Sequence, residues 1–581
     1  MKITILLLGF VAMLQITNGQ TMGAYKMPYI RYEADAGTFA NGAVLLEESY
    51  DQALLQSEAS EKKCISLTEK DSFVQWAVEQ EGRGLTLRFS IPDSENGRGL
   101  NGKLGLYING KKVQDIELTS FFAWQYFDKS KGSDRHPVNT PFTGNPRMRF
   151  DEERLLLPFN VKKGDIIKLC KDDDDDINYA VDFIELEPVG PAIQLPDGYI
   201  DVTNKKYGAV ANDDKDDAKA FEKAIADAYR LNKGLYVPAG KFDLSFQLKL
   251  EENDISVQGA GIWYTHLHWT ALTDSKGSGG WLGAGSNLYL SDFYMTSNLN
   301  NRGGGYRAFS RHWGSNSVIE NIWLSHFSVG FWTASSYKKT DTQKTENLTI
   351  RNCRIRNTYA DGCNLARGAS NCVVEHCDFR NNGDDAMASV SHAPDIVGAC
   401  TNNSYRYNTV EFVTRAGGLG IFGGQKHHMH HCIIRDCFAG AGIRVNSVFP
   451  AFPFVDSSYI TISDMLVERC GTSYGLWNNN IAAVNITTQR FDVQNVIFKD
   501  ITVKDSQTDA IYINRSGNDA TIRNIIFKDI VIDGTGKDEN GKGDGIFITR
   551  KNTGWAKVSD IYFRNIKSEE IRNDSPQFKI K

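Results

Sequence analysis

The 581-residue sequence predicts an all-β chain. An antiparallel β-sandwich of the jelly-roll kind is expected over residues 21–190, then a right-handed parallel β-helix over residues 195–581. Three observations predict it. Between about Tyr29 and Val189, short runs such as Leu85-Thr86-Leu87-Arg88-Phe89-Ser90-Ile91 alternate apolar and polar residues, the period of a half-buried strand. After about Asn316, apolar clusters centred on Asn or Asp return every roughly 22 to 30 residues, the mark of stacked coils: Val318-Ile319-Glu320-Asn321-Ile322, Leu348-Thr349-Ile350-Arg351-Asn352, Ile522-Arg523-Asn524-Ile525-Ile526. Two adjacent repeats also superimpose at an offset of 24 residues, which lays Asp361 on Asp385 with Asp384 beside it.

The elements follow in chain order. Residues 1–20 carry one Lys, a nearly unbroken apolar run from Ile3 to Ile16 and then Thr17-Asn18-Gly19-Gln20, the pattern of a secretory signal. Export to the periplasm or the outside medium is expected. Within the sandwich, Lys103-Leu104-Gly105-Leu106-Tyr107-Ile108 and Lys111-Lys112-Val113 flank Asn109-Gly110, a hairpin signal. The opening Tyr32-Glu33-Ala34-Asp35 and the closing run Tyr179 to Leu186 resemble the jelly-roll carbohydrate-binding modules of secreted glycosidases. Asp172 to Asp176 is read as a solvated acidic loop, with structural calcium as the alternative. A linker near Pro188 to Pro196 leads to a helical run from about Ala218 to Tyr229, which Asp216 or Asp217 is placed to cap. Each later coil is too small to bury its apolar side alone, so its Val, Ile and Phe must stack on neighbouring coils while Asn and Asp take the turns. The long sheets of such a rod suit an extended polymer.

Net charge is −6 with Lys and Arg scattered, which argues against a nucleic-acid partner. No segment after the leader is apolar enough to cross a membrane, and no Cys follows the leader before Cys64, so a soluble exported monomer is expected. Of the ten cysteines, Cys353, Cys363, Cys372, Cys377, Cys432 and Cys437 are among those that fall in the repeats, where free thiols serve as small buried groups.

The three acids carry the chemistry. An acid before a small residue recurs at Asp509-Ala510 and Asp544-Gly545, so Asp alone is an ordinary turn residue. Asp384 changes the reading, because Asn381-Asn382-Gly383-Asp384-Asp385 adds a second carboxylate to the corner that Asp361 and Asp385 share. Crowded carboxylates separate in pKa, leaving one protonated beside one ionised. That pair is what hydrolysis of a glycosidic bond needs. Small residues at Gly417-Gly418 and Gly440-Ala441-Gly442 near the equivalent corners are expected to leave room for a ligand. Trp263, Trp313, Trp332 and Trp477, with Asn364 and Arg444, are the candidate sugar contacts. The run His427-His428-Met429-His430-His431 is not read as a zinc site, since a strand splits these rings between faces and no Cys or acid pair completes a set. No cofactor or catalytic metal is expected.

Gly259-Ala260-Gly261-Ile262-Trp263-Tyr264-Thr265, Val318 to Trp323, Ala360-Asp361-Gly362, Gly383-Asp384-Asp385, Gly420 to Gly424, Phe449 to Phe454 and Tyr474-Gly475-Leu476-Trp477 resemble, in colinear order, glycoside hydrolase family 87. The resemblance implies an inverting endo-hydrolase of α-1,3-glucan or nigeran with Asp361, Asp384 and Asp385 as catalytic residues. It suggests Asp384 or Asp385 as proton donor and Asp361 as an aid in activating water. Three other readings remain. A polygalacturonase-like enzyme would need uronate-binding groups, of which Arg444 is the nearest candidate; a polysaccharide lyase would use the acids to hold calcium; a glycan-binding solenoid would use them only as turn caps.

Overall fold

The computed structural model describes Gly23 and residues 27–127, 145–270, 279–302, 306–334, 342–392, 397–449, 453–455, 457–473, 480–517 and 519–581. The leader and Trp477 lie outside the described residues.

The sandwich forms as its alternation requires. One sheet has six strands and the other five, all antiparallel. Leu85, Leu87, Leu104, Leu106, Ile167 and Ile184 fill the space between them. The hairpin joins Asn101–Ile108 to Lys111–Thr119. Its turn uses Asn109 at φ 50° and Gly110 at φ 79°, the two positive values of a type I′ turn. The acidic run does not simply point at water. Asp172 accepts Lys112 Nζ at 2.9 Å and Tyr107 Oη at 3.0 Å, and Asp175 accepts Tyr179 Oη at 2.8 Å.

The helix Ala218–Leu231 buries Ala220, Phe221, Ala224, Ile225 and Ala228 on the first coils. It runs two residues beyond the expected end and stops at Asn232, φ 51°. The capping work is divided: Asp216 takes the Ala218 N–H at 3.0 Å, whereas the Asp217 carboxylate takes that of Val210.

Behind the helix the chain winds into parallel sheets of 20 and 12 strands. Inward rows are apolar and continuous, as in Ile319, Ile350, Val374, Tyr405, Met429 and Ile462. Left-handed turn positions carry asparagines, which tolerate that backbone. Their side chains hydrogen-bond from coil to coil, Asn347 to Asn316 at 3.0 Å and Asn402 to Asn371 at 2.8 Å. All ten cysteines are free and buried.

The sandwich is not a loosely tethered module. Arg356 and Arg380 of the solenoid are fully buried against sandwich carboxylates: Arg356 Nη1 donates to Glu152 at 2.7 Å, and Arg380 to Glu185 at 2.5 and 3.0 Å. Arg31 of the sandwich returns the contact, reaching Glu411 at 2.6 and 2.8 Å. Burying so many charges is tolerable only because each is paired. Arg380→Met, which removes the guanidinium shared by Glu152, Glu185, Asp378 and Glu411 and leaves Glu185 only Arg31 at 3.1 Å and Arg356 at 3.7 Å, is therefore expected to cost about 3–5 kcal/mol in denaturant unfolding. A loss of less than about 1 kcal/mol, the range of an exposed pair, would show the seam to be incidental.

Candidate active site

Stacking in register builds the site. Strand Cys363–Ala366 pairs with Met387–Val390, Cys363 opposite Met387, which sets Asp361 and Asp385 one coil apart at the same corner. The Asn381–Asp385 turn is fixed from below: Asn381 Nδ2 donates to Asn357 Oδ1 at 2.9 Å, Asn382 Nδ2 to Thr358 Oγ1 at 2.8 Å, and Gly383 N–H to the Thr358 carbonyl at 2.7 Å. A Cβ at Gly383 would strike the Tyr359 carbonyl. Glycine there lets the coils close and brings Asp384 to the same side as its neighbours. One oxygen from each of Asp361, Asp384 and Asp385 lies within 4.8 Å of the others.

Each acid has a different partner. Asp361 accepts Asn364 Nδ2 at 2.8 Å. Asp384 pairs with Arg302, whose Nη1 also donates to the Gly383 carbonyl at 3.2 Å. Asp385 accepts Arg444 Nη1 at 3.1 Å. Burial raises Asp361 to about 7, reinforced by the charges of Asp384 and Asp385. Burial also raises Asp385, to about 6 against the pull of Arg444. Asp384 is the exception. Burial pushes it up, but Arg302 and Arg415, with Arg444, hold it down at about 2. Near pH 5 the corner therefore holds one firmly ionised carboxylate beside two that retain protons.

The turn-cap alternative has its own appearance lower in the rod. Asp509 accepts the Asp544 N–H at 2.8 Å, and Asp544 accepts that of Glu569 at 3.1 Å. Those acids cap backbone, whereas the carboxylates of Asp361 and Asp385 meet side chains. The triad is the cluster among the described residues with ligand atoms spaced for a metal, but Arg302 and Arg444 already supply its counter-charge.

Side-chain alternation along the 12-stranded sheet puts Phe331, Cys363, Met387, Leu419 and Ile443 in the core. The next row, Trp332, Asn364, Ala388, Gly420, Arg444 and Asn485, takes the opposite face beside the acids. Trp332 is half-buried there, under the Arg307 guanidinium at 4.7 Å. Asn364 Oδ1 has no hydrogen-bond partner among the described residues.

Two expected sugar contacts are corrected. Trp313 is fully buried, packed edge-on to Phe309 with centroids 5.6 Å apart. Trp263 is buried at the seam, where its indole N–H donates to Glu187 and its ring meets Trp323. Both give their apolar area to packing. The small residues are corrected too: a Cβ at Gly417 would lie 2.8 Å from Arg444 Cδ, and one at Gly420 2.9 Å from Asp385 Oδ2. Glycine there makes room for the pair Arg444–Asp385 as well as for ligand. Because Arg444 is spent on Asp385, it does not stand ready for a uronate carboxylate.

Comparison with known proteins agrees with this architecture. The model of the α-1,3-glucanase catalytic domain D1 matches residues 26–189, and that of domain D2 matches residues 211–575. The chain belongs to the α-1,3-glucanase family of glycoside hydrolases. Its structure is similar to the Agl-KA catalytic domain, with a TM-score of 0.90 and 36% identity over 98% of this chain and 100% of that one. It shares its fold with the catalytic unit of the GH87 α-1,3-glucanase of Streptomyces thermodiastaticus strain HF3-3, with a TM-score of 0.80 and 24% identity over 96% of each chain. It also shares it with a GH87 α-1,3-glucanase catalytic domain solved with nigerose, with a TM-score of 0.82 and 22% identity over 96% of this chain and 98% of that one. A further relative, the pre-neck appendage protein of Bacillus phage B103, is 27% identical over 269 residues, 43% of this chain; the chain spans 28% of that protein's length.

The D1 match makes the sandwich part of this glycoside hydrolase's catalytic unit, as the buried seam requires. Sequence reasoning missed Arg302 and Arg415. Arg415 stands beside the Ala416-Gly417-Gly418 run and was legible as a cation next to a crowded acidic corner; Arg302 has no local signal.

The charge pattern fixes a stability test. Asp361, with its pKa raised in the folded state, costs the protein stability as pH rises from about 4 through about 7. Asp361→Asn should therefore leave stability at pH 4 unchanged and raise it at pH 8 by on the order of 1–2 kcal/mol, less than the whole shift because the residue keeps some contact with solvent. Thermal unfolding at the two pH values checks this. An equal effect at both would remove the strain assigned to Asp361.

Proposed function

We propose that this enzyme cleaves internal α-1,3-glucosidic bonds of an α-glucan, with Asp385 as proton donor and Asp384, aided by Asp361, as the base that activates water. One observation carries the reading: three carboxylates meet at one corner, where Arg302 grips Asp384 and Arg444 meets Asp385, an arrangement that holds Asp384 ionised while burial raises Asp361 and Asp385. Asp385 keeps its proton for the departing oxygen, and Arg444 at 3.1 Å then stabilises the carboxylate left behind. Asp384 is fixed as an acceptor. Asp361 shares its charge field and is held by Asn364, which suits it to orient the water between them.

Nigerose and tetrasaccharides bound to relatives of this fold support an α-1,3-linked glucan over other polymers. In three sugar-bound structures of that kind, alanine replaces aspartates spaced along the chain as Asp361, Asp384 and Asp385 are. Asn364 is buried and bears on the site through Asp361, whose carboxylate it holds at 2.8 Å. Phe449, exposed and edge-on to Phe422 at 5.1 Å, offers an aromatic face, and Phe422 in turn lies under the Arg444 guanidinium at 5.4 Å. Export follows from the leader's apolar run, Ile3 to Ile16; among the described residues no helix is long and apolar enough to cross a membrane.

Incubation with α-1,3-glucan, nigeran, dextran and polygalacturonate tests the reading. Cleavage of α-1,3-glucan, insensitive to chelator and reduced roughly 10²–10⁴-fold in folded Asp384→Asn and Asp385→Asn, is expected. Cleavage of polygalacturonate alone would overturn it. Phe449→Ala should raise KM with kcat little changed. Inversion rests on the family resemblance, and the nearest oxygens here are closer than the about 6.5–9.5 Å expected of an inverting pair. Proton NMR of the first product anomer decides: inversion gives the β form.

A further inference from the structure

We propose that Gln125 of the sandwich is a positioning residue for hydrolysis, tying down the loop from which Arg302 grips Asp384. The proposal rests on the reading of Asp384 as the ionised base. Gln125 is buried, and its Nε2 donates to the Asn300 carbonyl at 2.8 Å, two residues before Arg302. Arg302 then spans to the Gly383 carbonyl and Asp384. The tie belongs to a rigid wedge. Next to Gln125, Trp124 adopts φ 58°, a backbone region costly for a bulky residue, held by its N–H to the Met148 carbonyl and its indole N–H to that of Ile91, each at 2.9 Å. At the other end of the wedge, Phe122 stacks on His326 with centroids 3.9 Å apart, and its carbonyl accepts Tyr359 Oη at 3.0 Å. Tyr359 lies two residues before Asp361. The sandwich thus touches the supports of two of the three acids.

The charges facing Asp384 are Arg302, Arg415, Arg444, Asp361 and Asp385. Of the three cations, Arg302 is the one whose loop the wedge holds. Loosening that loop should weaken Arg302's hold, so that Asp384 takes up protons at higher pH and loses its set as an acceptor.

The test compares Gln125→Ala with Arg302→Lys and with Gln52→Ala. Gln52 is an equally buried seam glutamine whose Nε2 donates to the Phe438 carbonyl at 3.0 Å and to Thr472 Oγ1 at 2.6 Å. Carbon-13 NMR of aspartate-labelled protein, with Asp384 assigned by Asp384→Asn, reads its titration midpoint; kinetics on α-1,3-glucan read kcat and KM. In Gln125→Ala and Arg302→Lys the Asp384 midpoint should rise by a unit or more. For Gln125→Ala kcat should fall roughly tenfold with KM within about twofold, in line with the cost of a slightly misplaced group. Gln52→Ala should do neither, whatever it costs in Tm. An unmoved Asp384 midpoint in Gln125→Ala, or an equal move in Gln52→Ala, overturns the proposal. A wild type that leaves α-1,3-glucan intact overturns the function proposed above instead, and the midpoint still decides the role of Gln125.

Discussion

Three like charges forced into one corner are the constraint on which the rest of this structure turns. A coil period of 24 residues stacks Asp361 over Asp385, and the Gly383 turn adds Asp384. Left alone, such a cluster would take up protons until little charge remained. Two guanidiniums break the symmetry by binding Asp384 and Asp385 unequally, so that neighbouring groups of one chemical type acquire different protonation states. The difference comes from placement on the fold.

That placement explains the two-domain build. A parallel β-helix supplies repetition, but repetition alone places similar residues at similar corners, as the backbone-capping Asp509 and Asp544 show. Breaking the repeat takes side chains that enter from outside it. Arg444 comes from two coils further along, over glycines that make way for it, and Arg302 comes from a loop of an earlier coil that the sandwich holds. The buried ion pairs of Arg356 and Arg380 then keep the sandwich from shifting relative to the acids. An accessory module free to swing on a linker would not do this.

Much of this was legible in the sequence wherever the signal is local or periodic. The Asn109-Gly110 turn, the apolar stacking rows and the overlay of Asp361 on Asp385 all depend on spacing along the chain, and spacing survives folding. Tryptophan was less informative: its area serves a core as well as a sugar, and Trp263 and Trp313 went to packing. Gly417 read as empty space, but its freedom is largely taken up by Arg444, and the structure shows Gly420 making way for Asp385 in the same manner. Arg302 lies 82 residues from the acid it binds, and only the winding of the chain brings them together. The adjacent Arg415 was the readable hint that the acidic corner is compensated.

The three acids differ in protonation, and neutron diffraction from deuterium-exchanged crystals grown near pH 5 observes this directly. The account predicts a deuteron on Asp385 and on Asp361 and none on Asp384. A deuteron on Asp384 with Asp385 bare would contradict it.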